Sequence, residues 1–185
     1  SIMTFSKQLY SYIGESDTKL PNAMAQYFYV DKKQYPNGFN LTSLKFQGQN
    51  GVDPVIEIYD GSRSISTASL LQKVDYSIWA YDYDIALNEQ IYFAPGSSFW
   101  VVAKFPAGAK NPLGAGKTSQ DNVAQYSFYS SNNGATWTQL TEVLKGSSFE
   151  AVSDHLTWAV QAISKNPDWS QVLNPEPISG EVRPG

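Results

Sequence analysis

The chain has 185 residues, with 13 basic and 17 acidic side chains, one histidine and no cysteine. That length suits one ordinary domain, with or without a tail, and a composition 42% hydrophobic and only 16% charged excludes wholesale disorder. No apolar run approaches the ~20 residues of a membrane helix, a net charge of −4 argues against a nucleic-acid partner, and without cysteine there is no disulfide, thiol nucleophile or zinc thiolate site.

In chain order, Phe5, Leu9, Tyr12 and Ile13 have helical spacing before Gly14, and the lead-in at residues 1–20 reads as a short helix or a first edge strand. Residues 24–30 form the first clear strand. It ends at Asp31-Lys32-Lys33 and at Tyr35-Pro36-Asn37-Gly38, a turn in which proline sets φ and glycine takes a positive φ. Phe39 and Leu41 alternate with polar residues, as do Leu44 and Phe46. The two pairs are out of phase by one residue, which predicts a β-bulge near Thr42 and Ser43. Val55-Ile56-Glu57-Ile58-Tyr59 is the next strand, followed by residues 69–74 and by residues 77–87, where Trp79, Tyr81, Tyr83, Ile85 and Leu87 alternate. Ile91-Tyr92-Phe93 leads into a Pro95-Gly96 turn. Residues 99–105 are continuously apolar, as expected of a central strand covered on both faces. Residues 123–129, 137–140 and 156–163 complete about ten strands, without a convincing amphipathic helix among them. The pattern predicts an all-β fold, an antiparallel jelly-roll-like β-sandwich spanning residues 1–163. Residues 164–185 hold four of the ten prolines and read as a Pro-rich linker, with Trp169 and Val172-Leu173 positioned to clasp the sandwich.

Several segments invite chemistry. Gly114-Ala115-Gly116-Lys117-Thr118 ends like a phosphate loop, but position 111 is Asn where that motif wants glycine, and no helix follows. The plain reading is a long loop over residues 106–122, a place for partner contact. Ser130-Ser131-Asn132-Asn133-Gly134-Ala135-Thr136-Trp137 resembles the Asp-box hairpin of sialidase propellers, with Asn132 in the usual aspartate position. A single copy in so short a chain makes it a structural hairpin: Asn133-Gly134 supplies positive φ, Asn132 closes an Asx turn and Trp137 plugs the turn. His155 beside Asp154 on a strand does not build a triad, since neighbours there face opposite sides. Asp82 and Asp84 share one strand face, and three readings stand: a solvated face, a structural Ca2+ ion helped by Asp60 or Asp121, or paired carboxylates for glycoside hydrolysis. Tyr27, Tyr29 and Trp100, like the Trp79–Tyr83 stripe, are either core or platforms for sugar rings.

Taken in order, Gln26-Tyr27-Phe28, the Tyr35-Pro36 turn, Leu41-Thr42-Ser43-Leu44-Lys45-Phe46, Val55-Ile56-Glu57-Ile58-Tyr59-Asp60-Gly61, Ser98-Phe99-Trp100-Val101-Val102-Ala103-Lys104-Phe105, Asn111-Pro112-Leu113-Gly114 and the hairpin ending in Trp137 form a recognisable succession over residues 24–163. It is similar to the jelly-roll cleaved-adhesin-like domains that follow the catalytic domain in secreted peptidases of oral and gut anaerobes, both gingipain-type cysteine peptidases and subtilisin-like serine peptidases. The resemblance implies a non-catalytic accessory module of an exported or surface protein, probing a surface or packing on its parent. Structural calcium is common in that family, but the acidic positions here do not align with it, and no cofactor is carried over.

Ser1-Ile2-Met3-Thr4 lacks an export signal. The abundance of tyrosine, tryptophan and small polar residues on a lightly charged chain favours a mature piece of an extracellular protein over a cytoplasmic one. The expected contact residues are Lys110 and Lys117 in the long loop and Trp79, Tyr81 and Tyr83 on the aromatic strand. The expected partners are the parent catalytic domain, an extracellular protein or a glycan, with the module itself a monomer. The rival readings are a carbohydrate-binding module and a small jelly-roll glycoside hydrolase.

Overall fold

A computed structural model describes residues 4–6, 20–47, 53–75, 82–108, 114–118, 120 and 123–175. The strands are β1 (Thr4–Ser6), β2 (Asn22–Tyr29), β3 (Phe39–Gln47), β4 (Val55–Tyr59), β5 (Leu70–Asp75), β6 (Asp82–Phe93), β7 (Ser98–Phe105), β8 (Ala115–Lys117), β9 (Ser127–Ser130), β10 (Thr138–Gln139), β11 (Leu156–Trp158), β12 (Val160–Lys165) and β13 (Ser170–Leu173). A six-stranded sheet runs β10-β9-β2-β7-β4-β5, a four-stranded sheet runs β13-β12-β3-β6, and a small third sheet runs β1-β8-β11. The strand pairs are antiparallel. The protein is an all-β sandwich.

Period-two alternation decides which side chains meet. Met24 and Phe28 of β2, Ile56 and Ile58 of β4, and Phe99, Val101, Ala103 and Phe105 of β7 face one core together with Phe39, Leu41, Leu44 and Phe46 of β3. Phe99 stacks between Phe28 and Phe93, at centroid distances of 5.2 and 4.2 Å. The opposite face of the six-stranded sheet is not bare. Ala23, Ala25 and Tyr27 join Trp100 and Val102 in a second cluster, closed over by Ile65 and Tyr126. This explains the unbroken apolar run at β7, which is buried on both sides as its sequence predicts. The cover over β7 is pinned by polar bonds: Trp100 Nε1 donates to the Ser62 carbonyl at 2.6 Å, and Asp60 Oδ1 accepts from the Ser69 amide at 3.1 Å.

The expected bulge is present, as a register shift between Leu41 and Ser43. Thr42 turns its hydroxyl into the neighbouring ladder, donating to the Ile163 carbonyl at 3.1 Å and accepting from the Lys165 amide at 2.9 Å. The larger irregularity lies across from it. Leu41 pairs with Ile91 but Ser43 pairs with Ala86, so residues 87–90 leave the ladder. They reach the edge strand of the other sheet, where Gln72 Oε1 accepts from the Asn88 amide at 2.8 Å and Gln72 Nε2 donates to the Glu89 carbonyl at 2.9 Å. One amide side chain thus bridges β5 to β6 and closes that side of the sandwich. Of the segments expected as two strands, residues 77–87 and 91–93, the described residues 82–87 and 91–93 meet in the single interrupted strand β6.

Several expectations are corrected by long-range pairing. Residues 123–126 form a 3-10 turn, and only residues from Ser127 onward are extended. Residues 156–163 are two strands in different sheets, with the crossing at Ala159. Its amide donates to the Gly114 carbonyl at 2.9 Å and its carbonyl accepts from the Gln47 amide at 3.0 Å, so the backbone stays satisfied through the corner. Residues 115–117, expected in a loop, are the middle strand of the third sheet. The four-stranded sheet also runs past the boundary expected at residue 163: β13 pairs with Ala162–Lys165 of β12, so residues 164–173 belong to the sheet rather than to a linker. At the start, Thr4–Ser6 is an edge strand against β8, the second of the two readings of the lead-in.

Candidate functional site

The sequence-expected contact residues are described only in part. Trp79, Tyr81 and Lys110 lie outside the described residues. The backbones of Asp82 and Tyr83 pair with Gln47 and Phe46. Asp84 is exposed and sits opposite Lys45 in the same ladder, the arrangement of a cross-strand charge pair. Asp60 has its Oδ1 engaged by the Ser62 and Ser69 amides. Among the described residues there is no group of three or more His, Asp or Glu side chains fit for a metal ion. Lys117 is exposed at the end of β8, where its backbone pairs with Thr4 and Leu156. The Gly-Lys-Thr segment is therefore committed to ladders: the Thr118 amide donates to the His155 carbonyl at 2.9 Å and the Gly114 amide to the Gln47 carbonyl at 2.9 Å. Those amides are turned away from any phosphate. His155 Nδ1 lies 2.6 Å from the Gln120 carbonyl, while Asp154 is exposed.

Two of the proposed sugar platforms are core. Tyr27 and Trp100 are buried and meet edge to face at 5.0 Å, and Tyr27 stacks on Tyr126 at 5.7 Å. The Asp-box-like hairpin has the expected mechanics. Asn132 Oδ1 accepts from the Thr136 amide at 3.0 Å and from the Ser130 hydroxyl at 2.8 Å, and the Ser130 oxygen accepts from the Gly134 amide at 2.8 Å. Asn133 and Gly134 take φ of 57° and 85°, and a Cβ on Gly134 would lie 3.2 Å from the Trp137 ring. The hairpin is a structural plug.

The aromatic and polar groups that do converge form an open cleft of about 290 Å3 at one end of the four-stranded sheet. It lies between the turn at residues 34–38 and the β12–β13 hairpin. Local chemistry builds both walls. Asp31 Oδ2 accepts from the Lys33 and Gln34 amides at 3.1 and 2.8 Å, and the Gly38 amide closes onto the Tyr35 carbonyl at 3.0 Å. Gly38 has φ of 82°, and a Cβ there would come within 2.6 Å of the Tyr92 ring. Glycine therefore serves both the turn and the close approach of Tyr92, whose hydroxyl donates to the Asn37 carbonyl at 2.9 Å. On the other wall, the Asn166 amide donates to the Trp169 carbonyl at 2.8 Å and closes the hairpin. Tyr35, buried against Phe39, donates its hydroxyl to the Val172 carbonyl at 3.3 Å and ties the two walls together. Asn40 stands directly across from Tyr92, and Gln171 across from Ser164. Among the described residues, no carboxylate, imidazole or cationic side chain lines this cleft.

A second cleft, also about 290 Å3, lies over the six-stranded sheet and is charged, with Asp53, Glu57, Lys73 and Lys104 in its lining. Glu57 is buried; its Oε1 accepts from Lys104 Nζ at 3.2 Å and from the Tyr59 hydroxyl at 2.7 Å. Burial, then the bond to Glu57 and that carboxylate's charge, push the Tyr59 hydroxyl far above the ordinary tyrosine range. This carboxylate is locked in an internal network.

Sequence reasoning did not single out Tyr92, and placed Trp169 only as part of a clasp. Parity held a signal for the first: between Ile91 and Phe93, which pack on the core, Tyr92 must point away from it. Nothing local brings Trp169 beside it. No family model matches the sequence, and no curated protein matches it either.

Proposed function

We propose that the chain is a non-catalytic accessory module of a larger exported protein, a jelly-roll adhesin-like sandwich that recognises a surface or packs on its parent catalytic domain. The parent is a secreted peptidase of the serine or cysteine type. The observation that carries this reading is the described lining of the cleft at Tyr92 and Trp169: amides, hydroxyls and rings, suited to holding a ligand, with neither a nucleophile and its base nor a pair of carboxylates among the described residues. The reactive groups described elsewhere support it, since His155 and Glu57 are tied to internal partners.

The test is deletion of residues 1–185 from the parent protein. Turnover of a small soluble substrate by the parent is expected to stay within about twofold, while retention on cell surfaces falls at least about tenfold. Unchanged retention together with an unchanged melting temperature of the parent catalytic domain, or hydrolysis of peptide or polysaccharide by the isolated chain, overturns the reading.

A further inference from the structure

We propose that the cleft between Tyr92 and Trp169 binds an uncharged glycan, with a sugar ring seated on the exposed aromatic faces and its hydroxyls read by the surrounding amides. This deepens the recognition role proposed above and rests on it.

Tyr92 and Trp169 are 58% and 55% exposed, the two large aromatic side chains most open to water among the described residues, and both line this one cleft. Singly, an exposed ring needs no explanation. Two rings brought to one cleft, Tyr92 held by its own side-chain bond and Trp169 carried on a closed hairpin, do call for one. Tyr92 is held by its hydroxyl bond to Asn37 and by its approach to Gly38. Trp169 sits in a hairpin closed by its own carbonyl and anchored through Tyr35. Preformed rings cost little ordering entropy on binding.

The chemistry of the lining selects the ligand. The C–H faces of a pyranose carry partial positive charge and lie well against the negative face of an aromatic ring. Each sugar hydroxyl both donates and accepts, and so does each side-chain amide of Asn37, Asn40, Asn166 and Gln171 around the rings. With no cationic side chain among the described lining residues, a sialic acid, uronic acid or phosphate would lose hydration without a countercharge. A neutral sugar has nothing to lose in that way. The volume of about 290 Å3 is at the small end of ligand clefts and suits roughly one or two rings of a longer chain.

The test is calorimetric titration of the full chain with neutral oligosaccharides (cellohexaose, maltohexaose, xylohexaose, mannohexaose and a galacto-oligosaccharide) and with acidic ones (sialyllactose and oligogalacturonate). At least one neutral probe is expected to bind. Trp169→Ala and Tyr92→Ala are each expected to weaken it about tenfold or more at unchanged melting temperature, Trp169→Phe to restore part of the loss, and Leu71→Ala, on the β5 edge, to leave it unchanged. Preference for the acidic probes, or neutral binding that both alanine variants leave intact, overturns the inference. If no probe binds at millimolar concentration while the chain still mediates retention on cells, the glycan cleft is wrong and the recognition role stands. If retention is absent as well, both fall.

Discussion

Replacing Gln26 by leucine tests the polar joint on which the sandwich and its third sheet depend. Gln26 is 1% exposed, yet it makes four hydrogen bonds. Its Oε1 accepts from the Ser127 hydroxyl at 2.6 Å and the Trp158 amide at 3.1 Å, and its Nε2 donates to the Tyr126 carbonyl at 3.1 Å and the Tyr27 carbonyl at 3.3 Å. Leucine fills most of the volume but leaves the Ser127 hydroxyl, the Trp158 amide and the Tyr126 carbonyl buried without this partner. Each such group costs ~1–3 kcal/mol, and the apolar gain of leucine with some local shift recovers a part. The expected net loss is ~3–4 kcal/mol in urea denaturation, or a fall in melting temperature of about 8–14 °C for a chain of this size. Removing Ser127 as well (Gln26→Leu with Ser127→Ala) deletes one stranded donor, so the double variant should be less destabilised than the sum of the singles by about 1 kcal/mol. A loss below ~1 kcal/mol, or strict additivity, refutes the reasoning.

Other consequences can be measured separately. Asn132→Ala removes three side-chain bonds from the hairpin and is expected to cost ~1–2 kcal/mol by thermal melting, whereas Asn132→Asp keeps the acceptors and stays within ~0.5 kcal/mol. Gly38→Ala meets both a positive φ and the Tyr92 ring; it should destabilise the chain by ~1–3 kcal/mol and disturb the cleft, seen as shifted Tyr92 resonances in NMR spectra. Tyr59 holds its proton more tightly when folded than an ordinary tyrosine of value 10.0, through burial first and then Glu57, and Tyr129 does so through burial. Their contribution to stability is therefore intact below about pH 10 and lost as pH rises from there through the folded-state values. Melting temperatures between pH 8 and 12 should fall in that window, less steeply for Tyr59→Phe; parallel curves for the two proteins would contradict the assignment.

Local signals in the chain fix much of the architecture. Alternation places Phe39, Leu41, Leu44 and Phe46 inside, and its break requires the shift found between Leu41 and Ser43. The unbroken run at β7 announces burial on both faces, and Gly38 and Asn133-Gly134 mark turns where positive φ is needed. All of these depend on residues a few positions apart, where backbone sterics and a two-residue period act directly.

What only the tertiary structure decided depends on residues distant in sequence. Gly116 reads locally as loop, yet it becomes the centre of a sheet because β1 and β11 flank it. Residues 156–163 look like one strand, but the carbonyl of Gly114 and the amide of Gln47 turn the chain at Ala159 into another sheet. Prolines at 167 and 175 suggest a tail, while the ladder between β12 and β13 retains the segment between them and carries Trp169 to Tyr92. The strands themselves are dictated by short-range geometry; their neighbours, and hence the cleft, are chosen by which apolar faces and open ladder edges can be satisfied together, a condition met only in the folded molecule.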